Sequence, residues 1–137
     1  MDNKLDPFNP EYEDPFTLIK LLLYIRNAIL IMVDKLPNNI KAGSSTILMR
    51  DANEMVKIGY SIKVRSFKRT DLYTLDSLQL NIRSLLRLYR KNHYISKEKY
   101  EVCMEMLIDA GKIIGTMITK EISRERTIKN KQTTTKL

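Results

Sequence analysis

The sequence is poor in the residues that interrupt helices or build metal sites. Its 137 residues include one cysteine, one histidine, four glycines, four prolines and no tryptophan. A single cysteine excludes an internal disulfide, and a single histidine leaves no histidine cluster for a metal. All four prolines lie at or before Pro37, so none interrupts long helices in the rest of the chain. The low glycine and proline content also argues against a turn-rich β architecture and against extensive disorder.

Signals for export, membrane insertion and catalysis are also missing. The first residues, MDNKLDPFNPEYED, are acidic and polar, the reverse of the basic start of a signal peptide. Residues 18–33 are apolar but too short for a membrane span, and they carry Lys20 and Arg26. Cys103 has no histidine beside it, which predicts a core thiol. We therefore expect a cytoplasmic, non-enzymatic protein with no cofactor, no metal, no small-molecule substrate and no membrane partner.

Charge is spread unevenly along the chain. The formal net charge is +8, yet residues 1–14 carry five acidic side chains and one lysine, so the remainder carries +12. This excess favours a polyanionic partner, most commonly nucleic acid; an acidic protein or an acidic membrane surface is the alternative. Residues 1–14 are predicted to be an acidic flexible segment.

Apolar residues recur at helical spacing in four segments. Asp14-Pro15 is typical of a helix start, and Pro37 ends the first helix. Ser96 is predicted to cap the last helix. The four helices are predicted at residues 16–36, 46–66, 71–91 and 97–122.

Short loops between four helices favour antiparallel neighbours. Residues 15–122 are therefore predicted to form one all-α domain, an up-down-up-down antiparallel four-helix bundle. Residues 123–137 are basic and show no apolar periodicity, which predicts a basic disordered tail.

The third helix carries a row of cations. Arg83, Arg87 and Arg90 are four and three positions apart, so they share one helix face, and Lys91 continues the row. The planar guanidinium group suits bidentate contact with phosphate oxygens. The row therefore predicts contact with nucleic acid or with an acidic patch of a protein partner. The alternative is a solvated face whose cations complement the helix dipole.

Two further groups of cations are candidates for the same binding surface. One is the turn KVRSFKR, whose Phe67 is a weak sign of base stacking; an exposed turn with this ring tucked into the end of the bundle is the alternative. The other lies on the outer face of the second helix, where a solvated surface is the alternative. The candidates are Lys63, Arg65, Lys68 and Arg69 in the turn and Arg50 and Lys57 on the second helix.

The last two helices carry more apolar surface than one core-facing stripe needs. Such an excess predicts a second buried contact, either within the protomer or through self-association. Gly111 and Gly115 each cost about 1 kcal/mol against alanine in a helix, so they predict close approach of another helix. The residues predicted for packing or self-association are Tyr73, Leu80, Leu88, Val102, Met106, Gly111, Ile113 and Gly115.

The segment FKRTDLYTLDSLQLNIRSLLRLYRKNHYISKEKYEVCMEMLIDAGKIIGTMI resembles the second half of the accessory variability determinant (Avd) proteins of diversity-generating retroelements. The likeness extends more weakly over the first helix and Leu36-Pro37, so that it covers about residues 16–120. The matching features are the basic turn before Thr70, Leu75-Asp76, Leu86-Arg87-Leu88, the YIS…KYE entry to the last helix and DAGKIIG at 109–115. Members often carry Pro-Lys and an arginine after the first helix, where this chain has Pro37-Asn38-Asn39 with only Lys41 nearby, and they often carry Gly-Gly-Trp where this chain has Gly115-Thr116-Met117.

The resemblance implies a non-enzymatic protein that assembles into a homopentameric barrel of four-helix protomers with a basic surface. It also implies binding to a reverse transcriptase and to RNA or DNA, in support of copying a template RNA into mutagenised cDNA. The wider group includes the proteins encoded in 23S rRNA intervening sequences. A stand-alone four-helix-bundle interaction protein with no polymerase partner is therefore the alternative.

Overall fold

The computed structural model describes residues 17–135, with side-chain detail for residues 17–132. The predicted all-α class is confirmed for this part of the chain. The predicted acidic segment, residues 1–14, lies outside the described residues. The helices are α1 Thr17–Asp34, α2 Asn38–Ala42, α3 Ser44–Val64, α4 Arg69–Lys91 and α5 Lys97–Thr135.

Four long helices enclose one hydrophobic core. α1 packs against α3 and α5, and α4 packs against the same two helices. α1 is apolar on most of its circumference, and Leu18, Ile25 and Ile29 are fully buried. Within residues 17–135, no helix combines the length and the apolar character that crossing a lipid bilayer requires.

The turn between α4 and α5 is built by a Schellman motif. His93 has a φ of 61°, the left-handed conformation that usually calls for glycine. The His93 N–H donates to the Arg90 carbonyl at 3.1 Å, and the Tyr94 N–H donates to the Tyr89 carbonyl at 2.9 Å. The Tyr89 and Tyr94 rings meet edge to face, with centroids 6.1 Å apart. This apolar contact completes the motif and fixes the direction in which α5 leaves.

α5 begins as its sequence predicts. The Ser96 hydroxyl accepts a hydrogen bond from the Lys99 N–H at 3.2 Å, so Ser96 is the N-cap. Cys103 is fully buried on the core side of the same helix, and burial raises the pKa of its thiol to about 12. The thiol is therefore neutral at physiological pH.

Two segments differ from the sequence-based prediction. Residues 38–42, expected to be loop, form the single-turn helix α2, because the Pro37 carbonyl accepts the N–H groups of Ile40 and Lys41 at 3.0 and 2.9 Å. At the other end of the chain, α5 continues to Thr135 instead of ending near residue 122. Residues 123–135 are thus helical, not a disordered tail. Among them, Arg124 and Glu125 contact the turn between α3 and α4, as described below.

Candidate nucleic-acid and partner interface

The arginine row of α4, defined as Arg83, Arg87 and Arg90, begins at the edge of the contact between α4 and α5. Arg83 is half-buried, and its Nη1 donates to Gln79 Oε1 at 3.4 Å. The Gln79 side chain lies between the two helices, where a Cβ added to Gly111 would stand 3.2 Å from its Nε2. The predicted row therefore does not lie wholly on the outer face of α4.

Neutral groups orient Arg83. Gln79 is only 2% exposed, and its Nε2 donates to Asp76 Oδ1 at 3.0 Å, which leaves its Oε1 for the arginine. The Nε of Arg83 is buried and has no hydrogen-bond partner among the described residues. A buried donor without a partner costs about 1–3 kcal/mol. Arg83 is thus held in place while part of its hydrogen-bonding capacity is unused.

Arg90 is held in a similar way at the other end of the row. It is half-buried, and its Nη1 donates to the Ile95 carbonyl in the turn at 3.1 Å. Arg87, between the two, and Lys91, which follows them, are exposed. Within residues 17–132, none of the three arginines forms a salt bridge with a carboxylate. Arg83 and Arg90 are therefore positioned by neutral acceptors, and none of the three charges is compensated by a paired acid of the described residues.

The basic turn between α3 and α4, defined as residues 63–69, has a different environment. Arg65 Nη1 lies 3.4 Å from Asp71 Oδ2, and Arg69 Nε lies 3.0 Å from Glu125 Oε2. Lys63 is exposed in the last turn of α3. The two arginines predicted as phosphate ligands are thus both paired with acids of the same chain.

A clamp formed by Glu121 and Arg124 of α5 closes over this turn. The Glu121 carboxylate, in a residue only 5% exposed, accepts the backbone N–H of Lys68 at 3.0 Å. The Arg124 guanidinium bonds to Glu121 and to the Ser66 carbonyl, and it lies 5.2 Å from the centroid of the Phe67 ring. Hydrogen bonding from Arg124, together with the Lys68 N–H, lowers the pKa of Glu121 despite its burial.

The clamp also contacts the Phe67 ring. The ring is 64% exposed, so it is not tucked into the end of the helices, and Arg124 stacks over it. The clamp residues lie in or beside the segment predicted as a tail, so the sequence analysis did not select them. The available signal was the spacing of Glu121 and Arg124, three apart on one helix face, with no proline or glycine after Gly115.

The two candidates on α3 lie on its surface. Arg50 and Lys57 are both exposed. Arg50 Nη2 is 3.4 Å from Oδ1 of Asp51, a residue 5% exposed that also accepts Asn81 Nδ2 at 2.7 Å. Arg50 therefore has an acid beside it, and the Asp51–Asn81 hydrogen bond joins α3 to α4.

The apolar residues predicted for packing separate into three groups. Tyr73, Leu80 and Leu88 are exposed along α4. Val102 and Ile113 are half-buried on α5 and pack against the core. Met106 is different, because at 3% exposure it belongs to the core of the protomer and is not available to a second copy.

The two glycines of α5 have different surroundings. Gly111 packs against the Gln79 side chain of α4, so the predicted close approach occurs within the protomer. Gly115 is exposed, and a Cβ added there would meet no atom within 4 Å among the described residues. Packing inside the protomer therefore accounts for Gly111 and not for Gly115.

No family model, curated protein or solved structure matches the chain. Among residues 17–132, the arginine row is a cluster of cations in which no side chain is paired with a carboxylate.

Proposed function

We propose that the protein is a non-enzymatic accessory protein that binds nucleic acid and a reverse transcriptase through the arginine row of α4. The process it would support is mutagenic cDNA synthesis in a diversity-generating retroelement. The motif resemblance over residues 67–118 supports the retroelement context. The charge of the chain and the environment of the arginine row support the binding of a polyanion.

One observation carries the proposal. Arg83 and Arg90 are oriented by an amide oxygen and a backbone carbonyl, and Arg87 between them is exposed. A phosphate would supply the negative charge that the described part of the protomer does not place beside the row. Charge-assisted hydrogen bonds to phosphate are about twice as strong as neutral ones, and little rearrangement of Arg83 and Arg90 is required.

Binding then follows from the release of counterions. Each phosphate neutralised on a single strand changes the slope of log affinity against log salt concentration by about 0.7. Such contacts discriminate poorly between sequences, so the polymerase and the shape of the RNA would select the template. Lys91 extends the positive charge at the end of the row, and Lys57 and Arg50 are further exposed cations on α3.

Self-association forms part of the proposal. Each protomer would be an up-down-up-down antiparallel four-helix bundle, and five protomers would form a barrel. The exposed Tyr73, Leu80 and Leu88 of α4, together with the open surface at Gly115, support a second buried contact. An oligomer would present several arginine rows to one strand and raise the overall affinity through avidity.

The test replaces the three arginines of the row and measures binding to RNA and to the reverse transcriptase. In Arg83→Gln/Arg87→Gln/Arg90→Gln, we expect at least a tenfold loss of RNA affinity at low salt, and a salt slope shallower by about 2. Polymerase capture is expected to fall as well. The charge-matched control is Lys20→Gln/Arg26→Gln/Lys112→Gln, which removes three cations elsewhere on the surface and should leave both activities nearly unchanged. Unchanged RNA and polymerase binding in a folded row variant would remove the row from consideration.

The same experiment distinguishes the retroelement proposal from the alternative, a stand-alone interaction protein of the rRNA intervening-sequence type. That alternative predicts no capture of the polymerase by the wild-type protein, whatever happens to RNA. Capture that depends on Arg83, Arg87 and Arg90 favours the retroelement proposal.

A further inference from the structure

A cavity lies at the end of the molecule opposite to the basic turn. It has a volume of about 240 Å³ and is formed where the end of α1 meets the start of α5. Its lining combines apolar side chains with two lysines and two hydroxyl-bearing side chains, and consists of Met32, Lys35, Tyr94, Ile95, Ser96 and Lys99. A phosphate group is small enough for this space.

The two lysines converge on the cavity although they carry the same charge. Lys35 and Lys99 both line the cavity, and the neighbouring Lys35 ammonium, with a smaller effect of burial, lowers the pKa of Lys99. Lys35 is exposed, and both side chains are long and flexible. The two ammonium groups repel each other, and an anion bound between them would relieve this repulsion.

Nearby acids do not relieve this repulsion. Glu98 raises the pKa of Lys99, but this effect is smaller than the effects of Lys35 and of burial, which lower it. Lys97 is paired with Glu101 at 3.9 Å, so that acid is turned to another partner. Within the described chain, neither Lys35 nor Lys99 forms a salt bridge with a carboxylate.

The backbone adds to the positive potential. Lys99 lies in the first turn of α5, a helix of 39 residues whose unpaired N–H groups and dipole favour an anion at this end. The Ser96 hydroxyl already accepts the Lys99 N–H, which orders that turn. The lysine pair thus faces a preformed helix start and not a flexible loop.

We propose that this cavity binds a phosphate group between the ammonium groups of Lys35 and Lys99. The phosphate is either free or the 5′ terminus of a nucleic-acid strand. The second source rests on the proposed function. It is favoured by the position of Arg90, which donates to the carbonyl of Ile95, a residue that lines the cavity. The arginine row therefore ends beside the lysine pair.

Calorimetric titration of the full-length protein with inorganic phosphate tests the site directly. We expect saturable binding to the wild-type protein and at least a tenfold loss of affinity in both Lys35→Gln and Lys99→Gln. The matched control is Lys97→Gln, in the same turn of α5 but paired with Glu101, and it should stay within twofold of wild type. Absence of saturable binding, or an equal loss in the control, overturns the proposal.

Two oligonucleotides, one with a 5′ phosphate and one with a 5′ hydroxyl, distinguish the two sources. At least tenfold tighter binding of the phosphorylated strand, lost in Lys99→Gln, assigns the cavity to a strand end. Equal affinities assign it to free phosphate. Because the double variant Arg83→Gln/Arg87→Gln keeps the Arg90–Ile95 hydrogen bond and every residue that lines the cavity, it should still bind inorganic phosphate even if the proposed function fails.

A thermal measurement separates a binding site from a purely structural pair. At low salt without phosphate, Lys35→Gln should melt at a higher temperature than wild type, since the repulsion is relieved. Added phosphate should raise the melting temperature of wild type and not that of Lys35→Gln. Equal phosphate-dependent rises in both proteins would contradict the site.

Discussion

The arginine row of α4 and the basic turn between α3 and α4 look alike in the sequence and differ in the folded protein. Both place several cations within a few residues. In the turn, Arg65 and Arg69 are paired with Asp71 and Glu125. In the row, no arginine forms a salt bridge with an acid of residues 17–132, and Arg83 is oriented by the neutral oxygen of Gln79.

The number of cations in a segment therefore does not identify a binding surface. What matters is the position of the acids, and these come from other parts of the chain. Glu121 reaches the turn from the last predicted turn of α5, and Glu125 reaches it because α5 continues beyond residue 122. In the turn, Arg65 and Arg69 are thus held by acids of the same chain, whereas no acid of residues 17–132 is paired with Arg83, Arg87 or Arg90.

The largest expected effect concerns the clamp over the turn. Glu121→Ala removes the acceptor of the Lys68 N–H and the partner of Arg124, and we expect the free energy of unfolding to fall by about 2 kcal/mol. Urea denaturation measures this loss. The matched control, Glu125→Ala, breaks a more exposed ion pair and should cost less than about 1 kcal/mol. Equal losses would show that the two acids play the same part, contrary to the description of the clamp.

The clamp should also be sensitive to acid. Because the pKa of Glu121 is lowered in the folded state, the stabilisation from its charge is present above the ordinary pKa of a glutamic acid. It is lost as the pH falls through the lowered pKa. The gap in unfolding free energy between wild type and Glu121→Gln should therefore narrow as the pH falls below about 4.3, the unperturbed value. A gap that is constant from pH 7 to pH 3 would contradict the clamp.

A smaller effect on stability is expected at two glycines, one packed against a neighbouring side chain and one on an open surface. A Cβ at Gly59 would stand 2.9 Å from Leu22 Cδ1, so Gly59→Ala should destabilise the fold by about 1 kcal/mol, since overpacking outweighs the gain in helix propensity. Gly115→Ala meets no such neighbour among the described residues and should stabilise an isolated protomer by about 1 kcal/mol. Thermal unfolding of the two variants measures both signs.

Gly115→Ala has a second readout. If protomers approach each other at Gly115, the added methyl group weakens self-association, which sedimentation velocity detects as a smaller oligomer. A stabilised variant with the oligomeric state of wild type would place the protomer contact elsewhere, for example at the exposed Leu80 and Leu88.

Much of the fold could be predicted because local signals coincide with structure. Ser96 was predicted as the cap of the last helix and is confirmed by its hydrogen bond to the Lys99 N–H. The end of the third predicted helix at Lys91 agrees with α4, since His93 adopts the left-handed conformation two residues later. These features depend on neighbours in sequence, which a single chain reveals.

The remaining features depend on contacts that periodicity does not report. Helical spacing places Arg83, Arg87 and Arg90 on one face but does not say which helix lies beside that face. Likewise, Met106 falls on a stripe beside the core stripe, yet the packing of α5 buries it. The contact of α5 with the turn between α3 and α4 joins Glu121 to the Lys68 N–H, two residues far apart in sequence.

The most direct measurement compares two single variants, Arg87→Gln and Arg65→Gln, in binding to single-stranded RNA across a range of salt concentrations. Both arginines are exposed, but among the described residues only Arg65 is paired with an acid. We expect Arg87→Gln to reduce the slope of log affinity against log salt by about 0.7, and Arg65→Gln to leave it unchanged. An equal or larger change in Arg65→Gln would contradict binding through the arginine row.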